Sequence, residues 1–171
     1  MRSIATVLLV LGLVACGSKA EKPDKAAVEK YINTDLNGLI GMLWVGKKPL
    51  ETIKPDHFDT AHGWFARPSA LETIVIPRMD QVIAGAAKIT APEAMKTLHQ
   101  QLVDVATGYR DVAKELGDAV AAEDKAKFTA AHAKLMEGHE RYQHWQQAMD
   151  VVLADYQIKL ADPAQPPPLP K

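Results

Sequence analysis

Apolar residues recur along this chain at intervals of three and four, the spacing that lines one face of an α-helix. In Met95, Leu98, Leu102, Val105, Tyr109, Val112, Leu116 and Ala119 the intervals run 3, 4, 3, 4, 3, 4, 3 without a fault. That is a bundle seam sustained over more than three heptads. It opens with Thr90-Ala91-Pro92-Glu93, which predicts a capping box: Thr90 caps, Glu93 reaches back, and Pro92 needs no amide partner in a first turn. Its end is marked between Gly117 and Glu123. The next helix, about Asp124 to Leu160, places Phe128, Leu135, Tyr142, Met149 and Tyr156 at seven-residue intervals, with Ala131, Gly138, Trp145 and Val152 interleaved. Small Ala131 and Gly138 permit a close helix approach or leave room for a bulky neighbour. Upstream, Asp24 is placed to cap a helix of about Lys25 to Val45 carrying Val28, Ile32, Leu36, Leu39 and Leu43. A further helix starts at Ser69-Ala70-Leu71-Glu72, a second capping box, and carries Leu71, Ile74, Val75, Val82, Ile83 and Ala86. Pro77 lies inside it and is expected to kink or split it.

Four helices of comparable length with short later connections predict an all-α fold, an antiparallel up-down four-helix bundle over residues 24–160. One long connection, Gly46 to Pro68, joins helices 1 and 2. Connections of that length serve a purpose or hold a short helix of their own. Residues 161–171 contain five prolines and cannot continue a helix, so they are expected to leave as an extended tail, either frayed or engaged in an aromatic groove. The sequence shows no internal repeat.

Ahead of the helices, Met1-Arg2-Ser3 precedes an apolar run from Ile4 to Ala15. One positive charge and about a dozen apolar residues make a secretory signal, too short to cross a hydrocarbon core of ~30 Å as a helix. At its end Leu13-Val14-Ala15-Cys16 resembles the lipobox of bacterial lipoproteins, in which a small residue precedes a cysteine that is acylated and becomes the mature N-terminus. The resemblance covers about a tenth of the chain, and Cys16 is the sole cysteine. It implies a signal peptide over residues 1–15, lipidation at Cys16, and a tether over residues 16–23. With Cys16 joined to lipid, neither a disulfide nor a free thiolate is available. In enteric lipoproteins an aspartate after the cysteine marks inner-membrane retention; Gly17 stands there instead, so the resemblance favours the outer membrane over the inner. Gly17 to Pro23 spans at most ~25 Å when extended, so the folded part is expected to sit close to the bilayer surface.

Removing residues 1–15 leaves 156 residues, the size of one domain with one core. Arg2 leaves with the signal, so 19 basic and 21 acidic side chains give a formal charge of −2. That near-balance, without a run of like charges, argues against nucleic acid or acidic lipid as a general electrostatic partner. Asp104, Asp111, Glu115 and Asp118, interspersed with Arg110 and Lys114, lie off the seam and read as a solvated face.

Catalytic signatures are scarce. The mature chain has two serines, Ser18 in the tether and Ser69 in a predicted cap. It carries no phosphate-binding loop, no dinucleotide fingerprint, no His-Glu-x-x-His, no Glu-x-x-His and no Cys-x-x-Cys-His. No enzymatic activity is expected, and no cofactor in the main reading. Six histidines remain. On the last helix, His132 and His139 differ by about 20° around the axis and Met136 lies about 40° from His132, one stripe of soft and borderline ligands suited to copper or haem. His132 and His139 stand about 10.5 Å apart along the axis, so a single ion would need help from another helix. His99 is placed to approach His144 more readily than His132, and Met42 to face His132. In the long connection, His62, Trp64 and Phe65, with Trp44 just before, form either a partner surface or an apolar plug at the bundle end.

The sequence therefore predicts a lipid-anchored, envelope-facing helical bundle with a binding or scaffold role, attached to the membrane by its N-terminal lipid and partnered by another envelope protein. The alternative is a small periplasmic metal- or haem-binding bundle using His132, Met136 and His139.

Overall fold

A computed structural model of the protein describes residues 24–58 and 70–169. The lipobox with Cys16, and the candidate partner residues His62, Trp64 and Phe65, lie outside the described residues. Among those described there is no strand, and five helices pack against one another: α1 (Lys25–Lys30), α2 (Asn37–Lys47), α3 (Ile76–Ala86), α4 (Lys96–Ala121) and α5 (Lys125–Tyr156). None is long and apolar enough to cross a membrane.

The apolar seams become the core. Every member of the α4 series from Met95 to Ala119 is buried, as are Val28, Ile32, Leu36, Leu39 and Leu43. On α5, Phe128, Ala131, Leu135, Trp145 and Met149 are buried, while Tyr142, Val152 and Tyr156 pack against the core from its margin. Gly138 provides room rather than close helix approach, because a β-carbon there would stand 3.3 Å from the ring of fully buried Tyr109.

Two π-turns depart from regular helix, the first without a signal in the sequence and the second beside Pro77, where a kink or split is expected. Between α1 and α2 the chain makes a π-helical turn, Tyr31–Asp35, in which the Leu36 amide donates to Tyr31 O at 2.9 Å. Lys30 and Asp35 form an ion pair of 3.1 Å across it; in a regular helix those residues would diverge by about 140°. The second π-turn, Leu71–Val75, directly precedes α3. Pro77 has no N–H to close a regular turn, and the Ile76 amide instead reaches five residues back to Leu71 O. Pro77 therefore resets the helix one turn upstream of itself.

Asp24 caps as expected, accepting from the Ala26 amide at 3.2 Å, and Asp124 caps α5, accepting from the Lys127 amide at 2.9 Å. The capping box at Thr90 does not form. The chain enters α4 through a 3₁₀ turn, Glu93–Met95, whose preceding residue Pro92 offers no side chain to the amides, and Glu93 pairs with Lys96 at 2.6 Å instead. The long connection begins with packed structure, two short 3₁₀ turns at Leu50–Thr52 and Pro55–Phe58, with Leu50 and Ile53 buried.

Helix α5 ends with Gln157 in the left-handed region, φ 50°. The Ile158 amide bonds to Leu153 O and that of Gln157 to Ala154 O, the double closure that usually employs glycine. A side chain in this conformation carries a penalty of roughly 1 kcal/mol. Gln157→Gly is expected to raise stability by about 0.5–1 kcal/mol, read as a shift of the denaturation midpoint at unchanged slope.

Candidate functional site

The closed end of α5 turns the C-terminal segment back onto the first helix. Ile158 is buried, and beyond it two asparagines hold the extended backbone. Asn33 donates through Nδ2 to Lys159 O at 2.9 Å and accepts at Oδ1 from the Ala161 amide at 2.8 Å. Asn37 donates to Asp162 O at 3.1 Å and accepts from the Ala164 amide at 2.6 Å. One turn further on, a β-carbon on Gly41 would overlap the Ala164 carbonyl oxygen, so glycine is what allows the tail to lie this close. Lys25 Nζ adds a 3.0 Å bond to Gln157 O. The frayed terminus is thus corrected: the tail is docked, and it is met by amide side chains and a glycine rather than by an aromatic groove alone.

Between α2, α5 and this strap lies a cavity of about 680 Å³, within the range of roughly 300–1,000 Å³ typical of ligand pockets. Ile40, Trp44, Tyr142, Trp145 and Met149 form its helical walls; Pro163 and Pro166 line the tail side. Trp44 does not plug the bundle end. It is 48% exposed and lies beneath Lys48, whose Nζ stands 3.6 Å from the ring centroid. Trp145 is almost wholly buried, yet its indole N–H has no hydrogen-bond partner among the described residues.

At the Tyr142 edge the cavity adjoins a buried polar cluster. The Lys47 ammonium pairs with Glu51 and stands 4.7 Å from the Tyr142 ring centroid. Tyr142 and Tyr109 make a tilted ring contact, and Tyr109 Oη meets His139 Nδ1 at 2.9 Å. Burial holds both phenols above the ordinary tyrosine range, with the Glu51 carboxylate adding to the effect, so they stay neutral. His139 is shifted the other way: desolvation lowers its pKa, Lys47 and His132 push in the same direction, and Glu51 opposes them. A neutral imidazole carries one proton, and either tautomer lets Nδ1 share a hydrogen bond with the Tyr109 hydroxyl.

Folding therefore favours the uncharged His139. Its contribution is complete above the unfolded pKa of about 6.5 and is lost as pH falls toward the depressed folded value, where the unfolded chain binds the extra proton. Stability is expected to decline with acidification below about pH 6.5, and His139→Gln is expected to flatten that slope in thermal melts taken across the same interval.

The histidine stripe is divided among separate tasks. His132 Nε2 lies 3.3 Å from Ile53 O, Met136 is 40% exposed, and His139 belongs to Tyr109. His99 Nδ1 meets Tyr31 Oη at 2.7 Å. It is Ile53 that reaches His132. Among the described residues no group of three or more His, Cys, Asp or Glu side chains is arranged to hold a metal ion.

The cleft leaves little trace in the sequence because its framing residues look ordinary singly. Asn33, Asn37 and Gly41 recur at four-residue intervals beside the apolar face, a polar and small-residue stripe that marks a helix side meant for close backbone contact. Lys47 gave no sign of burial, since its partner Glu51 lies past the helix end. No family model, no curated protein and no solved structure matches the chain.

Proposed function

We propose that the chain is a lipid-anchored protein of the bacterial cell envelope that holds another envelope protein and performs no chemistry of its own. Cys16 carries the lipid, and the outer membrane is the favoured location. The fold is read as an antiparallel up-down four-helix bundle in which α1 and α2 count as one helix. Supporting that topology, Gly46 lies against Arg78 and Met79 while Gly85 lies against Leu39, and Glu115 pairs with Lys134 while Tyr109 pairs with His139.

One observation carries the binding reading: an aromatic-walled cavity with a half-exposed Trp44 and the buried Trp145 ring among its lining. Such a combination of apolar walls with few polar groups is how proteins accept an apolar side chain and orient it. The test places a photo-reactive amino acid at position 44 of the full-length chain in cells. A discrete adduct with one envelope protein is expected, together with incorporation of labelled fatty acid that Cys16→Ser abolishes. Absence of any adduct, or stoichiometric copper or haem in the purified protein that His132→Ala removes, would overturn this function; failure to incorporate lipid would overturn the anchor.

A further inference from the structure

The tail is held by contacts that ignore what the tail is. Asn33 and Asn37 each grip one backbone carbonyl and the amide two residues beyond it, and the second grip is displaced from the first by three residues of tail. Gly41 accepts a backbone carbonyl oxygen. Any extended segment presenting the same carbonyls and amides satisfies these groups equally, and a proline fits wherever its nitrogen is not the one gripped. The resident segment also underfills its surroundings. It contributes Leu160 at one edge, and beyond it only proline and small or polar side chains, to a cavity that keeps about 680 Å³ open beside the Trp145 ring.

Resting on the reading of the Trp44 cleft as a binding surface, we infer that this groove is a recognition site for an extended, proline-containing peptide segment of the partner protein, bearing one bulky apolar side chain that enters the cavity. The protein's own residues 159–166 are the resident competitor. Main-chain contacts supply the grip and the cavity supplies the selection, the division of labour seen where extended peptides are bound along a backbone-satisfying edge. Being tethered, the tail competes at high effective concentration, so only a segment that fills the cavity better displaces it.

The experiment uses the full chain and two labelled peptides, one with the sequence of residues 157–169 and one with Gln165→Trp in the same peptide. Ala161→Pro with Ala164→Pro releases the tail, because both substitutions remove an amide that an asparagine accepts. Fluorescence anisotropy is expected to show the first peptide binding the released chain and binding the wild type about a hundredfold more weakly. Adding Asn33→Ala and Asn37→Ala to the released chain is expected to weaken binding by about tenfold for each asparagine. On the intact wild type, the Gln165→Trp peptide is expected to bind more tightly than the first; this comparison decides the matter even where the released chain fails to fold. The inference is overturned by no binding to a released chain of native helix content, by binding indifferent to both asparagines, by a Gln165→Trp peptide that gains nothing, or by a concentration-dependent dimer that tail release abolishes, which would make a second copy the occupant. The position-44 cross-link is read independently, so a partner found there with no peptide binding would leave the proposed function standing and remove this mode of recognition.

Discussion

Tyr109→Ala is expected to destabilise the protein by about 3–5 kcal/mol, the range for removing a large side chain from a packed interior. Tyr109 is fully buried, touches the rings of His139 and Tyr142, and occupies the space that Gly138 leaves on α5. Tyr109→Phe keeps that packing and removes only the bond to His139 Nδ1, so it is expected to cost about 1 kcal/mol. Chemical denaturation of the two variants separates ring from hydroxyl. A third variant makes the argument specific to this pair: Gly138→Ala in the Tyr109→Ala background places a methyl group into the vacated volume and improves helix propensity by roughly 1 kcal/mol. It is expected to recover part of the loss. The same Gly138→Ala in the wild type meets the Tyr109 ring at 3.3 Å, and a substitution that stabilised both backgrounds equally would show that the glycine does not serve the tyrosine.

Gly41→Ala is expected to release the tail while leaving its helix more favourable. Alanine exceeds glycine in helix interiors by about 1 kcal/mol, but the added β-carbon collides with the Ala164 carbonyl oxygen, which is backbone and cannot rotate aside. Four hydrogen bonds to Asn33 and Asn37 go with the tail, worth about 1 kcal/mol each in net terms. Limited proteolysis is expected to cut the variant beyond Ile158 at concentrations that leave the wild type intact, with tryptophan emission shifted to longer wavelength as the cavity of Trp44 and Trp145 opens to water. An unchanged cleavage pattern with native emission would show that the tail is held without the close approach at Gly41.

Although five helices stand where four were expected, the all-α class and the seam positions of α4 were legible from spacing, because a buried seam leaves a strict three-four signature. The π-turn at Tyr31–Asp35 left none. Val28, Ile32, Leu36, Leu39 and Leu43 fall on one face whether or not a residue is looped out among them, so periodicity is blind to it. The docking of the tail is silent for a related reason. Its prolines correctly exclude helix, but composition says nothing of what lies opposite, and the groups that hold it come from residues over 120 positions away in sequence. The histidines of α5 are a different case: a shared helical face suggests shared work, and the contacts of His132 and His139 are drawn from two different elements, at Ile53 and Tyr109.

That silent turn bears on how the chain can change by insertion and loss. A π-turn is an α-helix lengthened by one residue, an irregularity often found beside functional sites. Dropping exposed Thr34 would restore an unbroken helix with its apolar face still aligned, so the interior has no need of the longer form. The asparagines would then stand three residues apart instead of four, out of step with the carbonyls and amides they grip. The extra residue is therefore matched to the docked tail and not to the core, and a one-residue deletion there would be expected to yield a sound bundle with nothing seated on its first helix.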